Sequence, residues 1–434
     1  MEYTKKELLE IADKHLMNAW GRNPIVFTEG KGVWLQDIDG KKYLDCTAQA
    51  WTLNCGHQHP RIIKAAKEQL EKLAYINVCF DIPVRNLLIK KLAEIAPGEL
   101  GQKMVFGTSG SEANEVAFQL AAKYTGGQNF VCLSNSYHGR TFGAIAASFG
   151  MNSPKMGIER FLSPGFVCVP GYYCYRCYFG LEYPKCGLFC AEFVDTYLNN
   201  IKIGKVAGLI AEPIFGPGGQ IPSPPGYLKK IREICNKHGI TLIFDEIQTA
   251  FGRCGTMFGA EYYGVTPDIM TISKAFSNGW PISAVLTSDK YDLFKPNAEY
   301  IITTAAHPVL CASALATIEV LIEEKLPENA TKMGKYMTKR LNEMAEKYEL
   351  IGDVRGPGLH IGVELVKNRR TKEAALKETQ KFLAQAVKNG VLFGAAGAGS
   401  EMRSVIKVKP PLVINKEEAE KAMDIFEKTM KEIS

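Results

Sequence analysis

The sequence predicts an α/β protein with one large, mostly parallel sheet domain and a smaller α+β domain. Three observations carry that expectation. Short apolar runs bounded by turn residues alternate with stretches of helical periodicity between about residues 56 and 315. Several of these runs end in an ionisable residue, namely Glu212, Asp245 and Lys274, and open α/β sheets keep their ligands beyond the C-terminal ends of their strands. From about residue 320 the alternation changes register, with a charged helix followed by shorter strands and two more helices. The expected organisation is an N-terminal arm over 1–55 that belongs with the small domain, a large domain over 56–315 and a small C-terminal α+β domain over 316–434.

Composition sets the outer bounds. With 434 residues, 46% apolar and 23% charged, the chain has an ordinary soluble-enzyme composition and length for two or three domains. The net charge of +6 is interspersed, without a block of like charges, so no nucleic-acid partner is expected. No apolar run reaches the roughly 18 residues of a membrane span. The opening MEYTKKELLEIADKHL is an amphipathic charged helix and not a signal peptide. Most of the twelve cysteines stand singly within apolar runs, which suits reduced residues in a cytoplasmic protein.

The elements follow in order. VWLQDIDGKKYLD reads as two strands joined by the turn Asp39-Gly40. Pro60 suits the first turn of a helix whose apolar face is Ile62, Ile63, Ala66, Leu70 and Leu73, and a second helix is expected over 84–95. MVFGTSGSEANEVAFQLAAKY is then strand, Gly-rich turn and helix, the helix burying Ala113, Val116, Ala117, Leu120 and Ala121. A strand over 129–134 leads to Tyr137 and His138, and a strand over 206–210 ends at Ala211-Glu212-Pro213. The helix over 227–238 stops at Gly239. The strands ending at Asp245 and Lys274 follow, then a strand over 281–287 and a long helix from Pro308. Further helices are expected over 330–348 and 372–389, then the strands VLF and VIKV. The last helix starts at Lys416, with Asn415 and Glu418 forming a capping box.

Residues 164–190 interrupt this alternation. Cys174, Cys177, Cys186 and Cys190 give C-x2-C-x8-C-x3-C, a metal-ligand spacing; a loop merely rich in cysteine and packed by its own Tyr, Phe and Leu fits as well. A metal there would be structural, so no metal ligand is assigned to the catalytic site.

Pyridoxal 5'-phosphate (PLP) makes four demands that this chain meets at strand ends. Its aldehyde needs a lysine, and Lys274 closes an apolar run. Its ring nitrogen needs a carboxylate, and Asp245 closes another. Its phosphate needs amides and hydroxyls, available at the helix start formed by Ser109, Gly110 and Ser111. Its ring needs a flat platform, which Tyr137 offers.

The chain resembles the class III aminotransferases, the PLP fold-type I family that includes ornithine and 4-aminobutyrate aminotransferases. The matching pieces run from about Trp34 to Phe426. They are Gly56-His57-x-His59-Pro60, SGSEAN at 109–114, YHG at 137–139, AEP at 211–213, DEIQTAFGRCG at 245–255, SKAFSNGWP at 273–281, HPVLCASALATIEVL at 307–321, VRGPGL at 354–359 and PPLVI at 410–414. The resemblance implies a mostly parallel seven-stranded sheet flanked by helices. It makes Lys274 the Schiff-base lysine and Asp245 the partner of the ring nitrogen. Gln248 would bond the ring's phenolic oxygen and Tyr137, beside His138, would stack on the ring. Gly110 and Ser111 would hold phosphate, with Thr303 reaching the phosphate across a subunit interface. The implied substrates are an amino acid or amine and a 2-oxo acid, and the implied assembly is a homodimer or homotetramer with shared active sites.

Four departures bear on the reaction. The family's T-[FY]-x-G-[NH]-P is Thr303-Thr304-Ala305-Ala306-His307-Pro308 here. The arginine that many members place three residues before PPL, a bidentate partner for the substrate α-carboxylate, is Lys407, which lacks that fork. Glu212, a partner of that arginine in relatives, would face Lys407 instead. Gln49 stands where glycine is common, and TGFGRTG is TAFGRCG. Transamination is the expected reaction. Amino-acid racemisation remains the alternative, because relatives with a cysteine-bearing insertion include racemases; a lyase is a third reading.

Overall fold

The computed structural model describes residues 3–17, 22–150, 155, 157–200, 204–296, 299–396 and 404–433. Two large sheets organise the chain. The central one has seven strands, labelled here in chain order: β1 Lys103–Gly107, β2 Asn129–Leu133, β3 Phe166–Val169, β4 Val206–Ala211, β5 Thr241–Asp245, β6 Ile269–Ile272 and β7 Ser283–Thr287. Their spatial order is β1-β7-β6-β5-β4-β2-β3. All neighbouring pairs are parallel except the two that involve β7. Strands β5, β6 and β7 are buried along their whole length. Helices cover both faces of such a sheet, which explains why the strands read as continuous apolar runs and not as alternating ones.

The second sheet combines the two ends of the chain. Its order runs Phe27–Lys31, Trp34–Asp37, Lys42–Cys46, Val391–Ala395, Val405–Val408, Ile361–Asn368 and Ile351–Arg355. Lys42–Cys46 lies parallel to Val391–Ala395 and forms the seam between the N-terminal and C-terminal strands.

Most expected elements form, and their limits have local reasons. The helices Pro60–Lys72 and Pro83–Ile95 both start with a proline in the first turn, where its missing N–H costs nothing. The Asp39-Gly40 turn joins Trp34–Asp37 to Lys42–Cys46 as expected, with Gly40 at φ +82°. Strand β7 starts at Ser283 and not at Pro281, since Pro281 has no N–H to give the ladder. The helix expected from 372 starts at Leu376; Lys372 is left-handed at φ +57° and Glu373–Ala374 pairs with the Ile361–Asn368 strand instead. The N-terminal helix spans Lys5–His15, and residues 1–2 of the expected one lie outside the described residues. The segment read as an interruption contains regular structure, β3 and the helix Phe189–Asn200. Cysteines and aromatics at turn spacing masked both. Among the described residues, no helix is long and apolar enough to cross a membrane.

Candidate active site

The strand ends β5 and β6 and the Gly110–Thr125 helix converge on one cavity of about 160 Å³. It is lined by Gly110, Ser111, Tyr137, His138, Gly139, Asp245, Ile247, Gln248, Ser273 and Lys274. Seven of these were expected from sequence. Ser109, Glu212 and Thr303 do not line it.

Asp245 ends β5 and is 4% exposed. Its Oδ2 accepts a hydrogen bond from Asn114 Nδ2 at 2.9 Å and stands 2.8 Å from His138 Nδ1, while Oδ1 accepts from the Ile247 amide. Asn114 also donates to the His138 carbonyl and accepts from Thr271 Oγ1 at 2.8 Å. The carboxylate is thus fixed in direction by groups from a helix, a loop and a neighbouring strand. Asn114 was not singled out from sequence, yet its signal was present: a polar residue inside the apolar face of a helix.

Lys274 follows β6 in a short turn and holds φ +47°. A lysine in the left-handed region is strained, and the strain sets the direction in which its stem leaves the strand. Burial pushes its pKa down, with the charges of Asp245 and then Glu212 opposing. Gln248 is 7% exposed, and its Oε1 is buried without a protein partner; so is His138 Nε2.

The helix start is crowded by design of its small residues. Ser109 caps the helix by accepting from the Glu112 amide, and Glu112 Oε2 accepts from the Thr108 and Ser109 amides. Ser109 therefore acts on the helix and not in the cavity. A side chain at Gly110 would press on Ile247, and one at Gly139 would run into Ser111 Oγ. Only backbone-sized walls fit there, which suits the close approach of a phosphate to amides at a helix N-terminus.

Tyr137 is half-buried. Its amide donates to Glu212 Oε1 at 2.8 Å and its hydroxyl accepts from Arg140 Nε at 3.1 Å. Glu212 therefore supports the ring platform from behind; its Oε2 accepts from the Gly216 amide. Burial, and then the nearby charge of Asp245, push the Glu212 carboxyl up to about 8. Thr303 is exposed on this chain, with its carbonyl accepting from Tyr75 OH at 2.9 Å.

Beside the cavity stands a feature that sequence reasoning missed. Trp51, 8% exposed, carries three lysine Nζ atoms over its ring: Lys274 at 5.8 Å, Lys407 at 5.0 Å and Lys409 at 4.1 Å. It ends a run of four left-handed residues, Ala48, Gln49, Ala50 and Trp51, with φ from 41° to 67°. The glycine expected at 49 would relieve part of that strain. Thr47 and Asp45 strap the turn: Asp45 Oδ1 accepts from the Thr47 amide and hydroxyl, and Thr47 Oγ1 accepts from the Gln49 amide. Lys409 donates to the Thr47 carbonyl. Burial pushes Lys407 down to about 7, against the pull of Glu212.

The residues present fit PLP. They offer a lysine, a fixed carboxylate, a flat ring, a small-walled helix start and two buried polar atoms facing no protein partner. Residues 16–430 match the family model described as aminotransferase class-III. The chain belongs to the class III aminotransferases. Members of this family are PLP-dependent enzymes, and the fold is that of PLP fold type I. The chain is 37% identical over 412 residues to a leucine/methionine racemase of Thermococcus litoralis, covering 94% of this chain and 91% of the relative. It is 35% identical over 423 residues to an acetylornithine aminotransferase of Methanothermobacter thermautotrophicus, covering 97% of each. The solved omega transaminase of Pseudomonas jessenii in complex with PMP superposes with a TM-score of 0.91 at 27% identity, over 98% of this chain and 97% of that one. This class III chain therefore has both aminotransferases and a racemase among its relatives.

Proposed function

We propose that the protein is a PLP-dependent aminotransferase that moves an amino group between an amino acid or amine and a 2-oxo acid. The observation that carries this reading is the meeting of Lys274 and Asp245 in one cavity, each at the end of a parallel strand. Bound PLP would supply an electron sink that makes the substrate's α-carbon acidic. Asp245, held by Asn114, would keep the ring nitrogen's proton, and Gln248 Oε1 and His138 Nε2 have hydrogen-bonding capacity left for the ring. Gly110 and Ser111 would take the phosphate. Lys274 Nζ, its affinity for protons lowered by burial, would be the base that takes the α-proton. The Lys407 ammonium would hold the substrate carboxylate as a point charge and not as a fork.

Tyr75, which donates to the Thr303 carbonyl, and Ile301, two residues before it, are both exposed. They support a homodimer or homotetramer in which Thr303 serves the partner's phosphate site. The cysteines described as free thiols fit a reducing compartment such as the cytoplasm.

One observation favours racemisation as a second reading. That observation is the leucine/methionine racemase among the relatives, 37% identical over 412 residues. The experiment for the primary reading starts with borohydride reduction of the purified holoenzyme and peptide mass spectrometry. The expected result is a phosphopyridoxyl group on Lys274, absent from Lys274→Ala. A modification on another lysine, or none, would refute it.

A further inference from the structure

The C-x2-C-x8-C-x3-C segment folds into a feature that the active site does not use. Cys174, Cys177, Cys186 and Cys190 all line a single small cavity of about 20 Å³, closed by Phe179 and Tyr183. We propose that these four cysteines form a structural zinc site that fastens the inserted segment between the two sheets.

The placement supports this in four ways. The four sulfur-bearing residues come from separate turns: the helical turn Cys174–Arg176, the residue after it, the turn before Leu188, and the first turn of the Phe189–Asn200 helix. Such convergence of residues spaced over a loop is what a four-thiolate zinc site requires. The cavity, at about 20 Å³, has room for one water or one ion. Cys190 lies in the first turn of a helix, where the dipole favours a thiolate. One cation stands next to the cluster: Lys372 borders the open side of Cys174 and Cys177 and would offset part of the net charge of a four-thiolate zinc centre.

The thiols are not poised on an ion as they stand. Among the described residues no three His, Cys, Asp or Glu side chains are set to hold one. A divalent cation would enter as the four thiols give up their protons. Each sulfur swings on a single χ1 bond between staggered wells, so closing on an ion needs side-chain rotation.

The site also has something to fasten. Tyr173 OH and Arg176 Nε donate to Glu364 at 2.5 Å each, and Arg355 donates to the same carboxylate and to the Gly219 carbonyl. The cysteine segment is thus tied to a strand of the second sheet and to the loop that packs against Gln248.

The test is metal analysis and cobalt spectroscopy on full-length holoenzyme. After reconstitution with zinc under reducing conditions and desalting, wild type is expected to retain about one zinc per chain. Cobalt substitution is expected to give the thiolate charge-transfer and tetrahedral bands of an S4 centre. Cys186→Ser should lose the bands and most of the zinc, while Cys168→Ser, outside the cluster, should keep both. Wild type that holds less than roughly a tenth of an equivalent and gives no cobalt bands, an iron–sulfur spectrum, or equal metal loss in both variants would overturn the proposal. Because the wild-type spectrum stands alone, a Cys186 variant that fails to fold leaves the test intact.

Discussion

Single residues decide how this site differs from its family pattern, and Lys407 decides most. Its ordinary pKa is 10.5, and burial lowers it to about 7. The ammonium is therefore fully present below pH 7 and lost as pH rises through that value. If it holds the substrate carboxylate, KM is flat below pH 7 and climbs above it by up to about tenfold per pH unit. Lys407→Arg removes that rise, because guanidinium keeps its charge throughout. Steady-state KM measured from pH 6 to 9 for both proteins checks it; an unchanged slope in the arginine variant argues against the role. Linkage runs the other way for stability. Between about pH 7 and 10.5 the unfolded chain binds the proton more tightly, so Lys407's contribution makes folding more favourable as pH rises. At this scale the sequence was informative. Asp245, Lys274, Gly110 and Ser111 were legible because they stand at strand ends or a helix start, Tyr137 and His138 because they follow a strand, and Gln248 through the family resemblance. Trp51 was not, since its position depends on a left-handed turn that residue types other than glycine rarely announce.

At the scale of elements, small residues set how closely loops approach the site. A methyl group at Gly216 would collide with the Gln248 side-chain oxygen. Gly216→Ala is expected to push Gln248 out of place and weaken PLP binding by on the order of tenfold, about 1.4 kcal/mol. Titration of apoenzyme with PLP measures this directly. A variant that binds PLP as tightly as wild type would show that Gln248 does not contact the cofactor. The limits of the elements were legible wherever proline, glycine or a capping box stood at the boundary, as at Pro60, Pro83, Ser109 and Gly239. The strand β3 and the helix Phe189–Asn200 escaped because the cysteine spacing between them suggested a loop with its own logic. Both readings hold: regular structure frames the cysteines.

For the whole molecule, the question is what joins the two sheets. Glu364 is fully buried, and Arg355 and Arg176 both pair with it. Burial works against its charge, yet Arg355, Tyr173 and Arg176 hold the carboxyl below its ordinary range. Glu364→Gln would leave two arginines without their shared anion, at a cost of about 3–5 kcal/mol. Asp353, a quarter exposed and paired among the described residues with Arg355, is expected to cost less than about 1 kcal/mol as Asp353→Asn. Denaturation of both variants compares them, and equal losses would show that the network does not join the sheets. The order of the strands was not readable from sequence. Local periodicity says which runs are strands but not which run lies beside which, and the single antiparallel strand β7 carries no mark in its residues. The reaction depends on this same assembly, since Lys274 and Glu212 follow strands of the central sheet while Lys407 lies on a strand of the second. The most direct measurement incubates the holoenzyme with one enantiomer of an α-amino acid, with and without 2-oxoglutarate, and follows both oxo-acid product and chirality. The account predicts oxo acid in step with consumed acceptor and no inversion of the remaining substrate. Inversion in the absence of any oxo acid would contradict it.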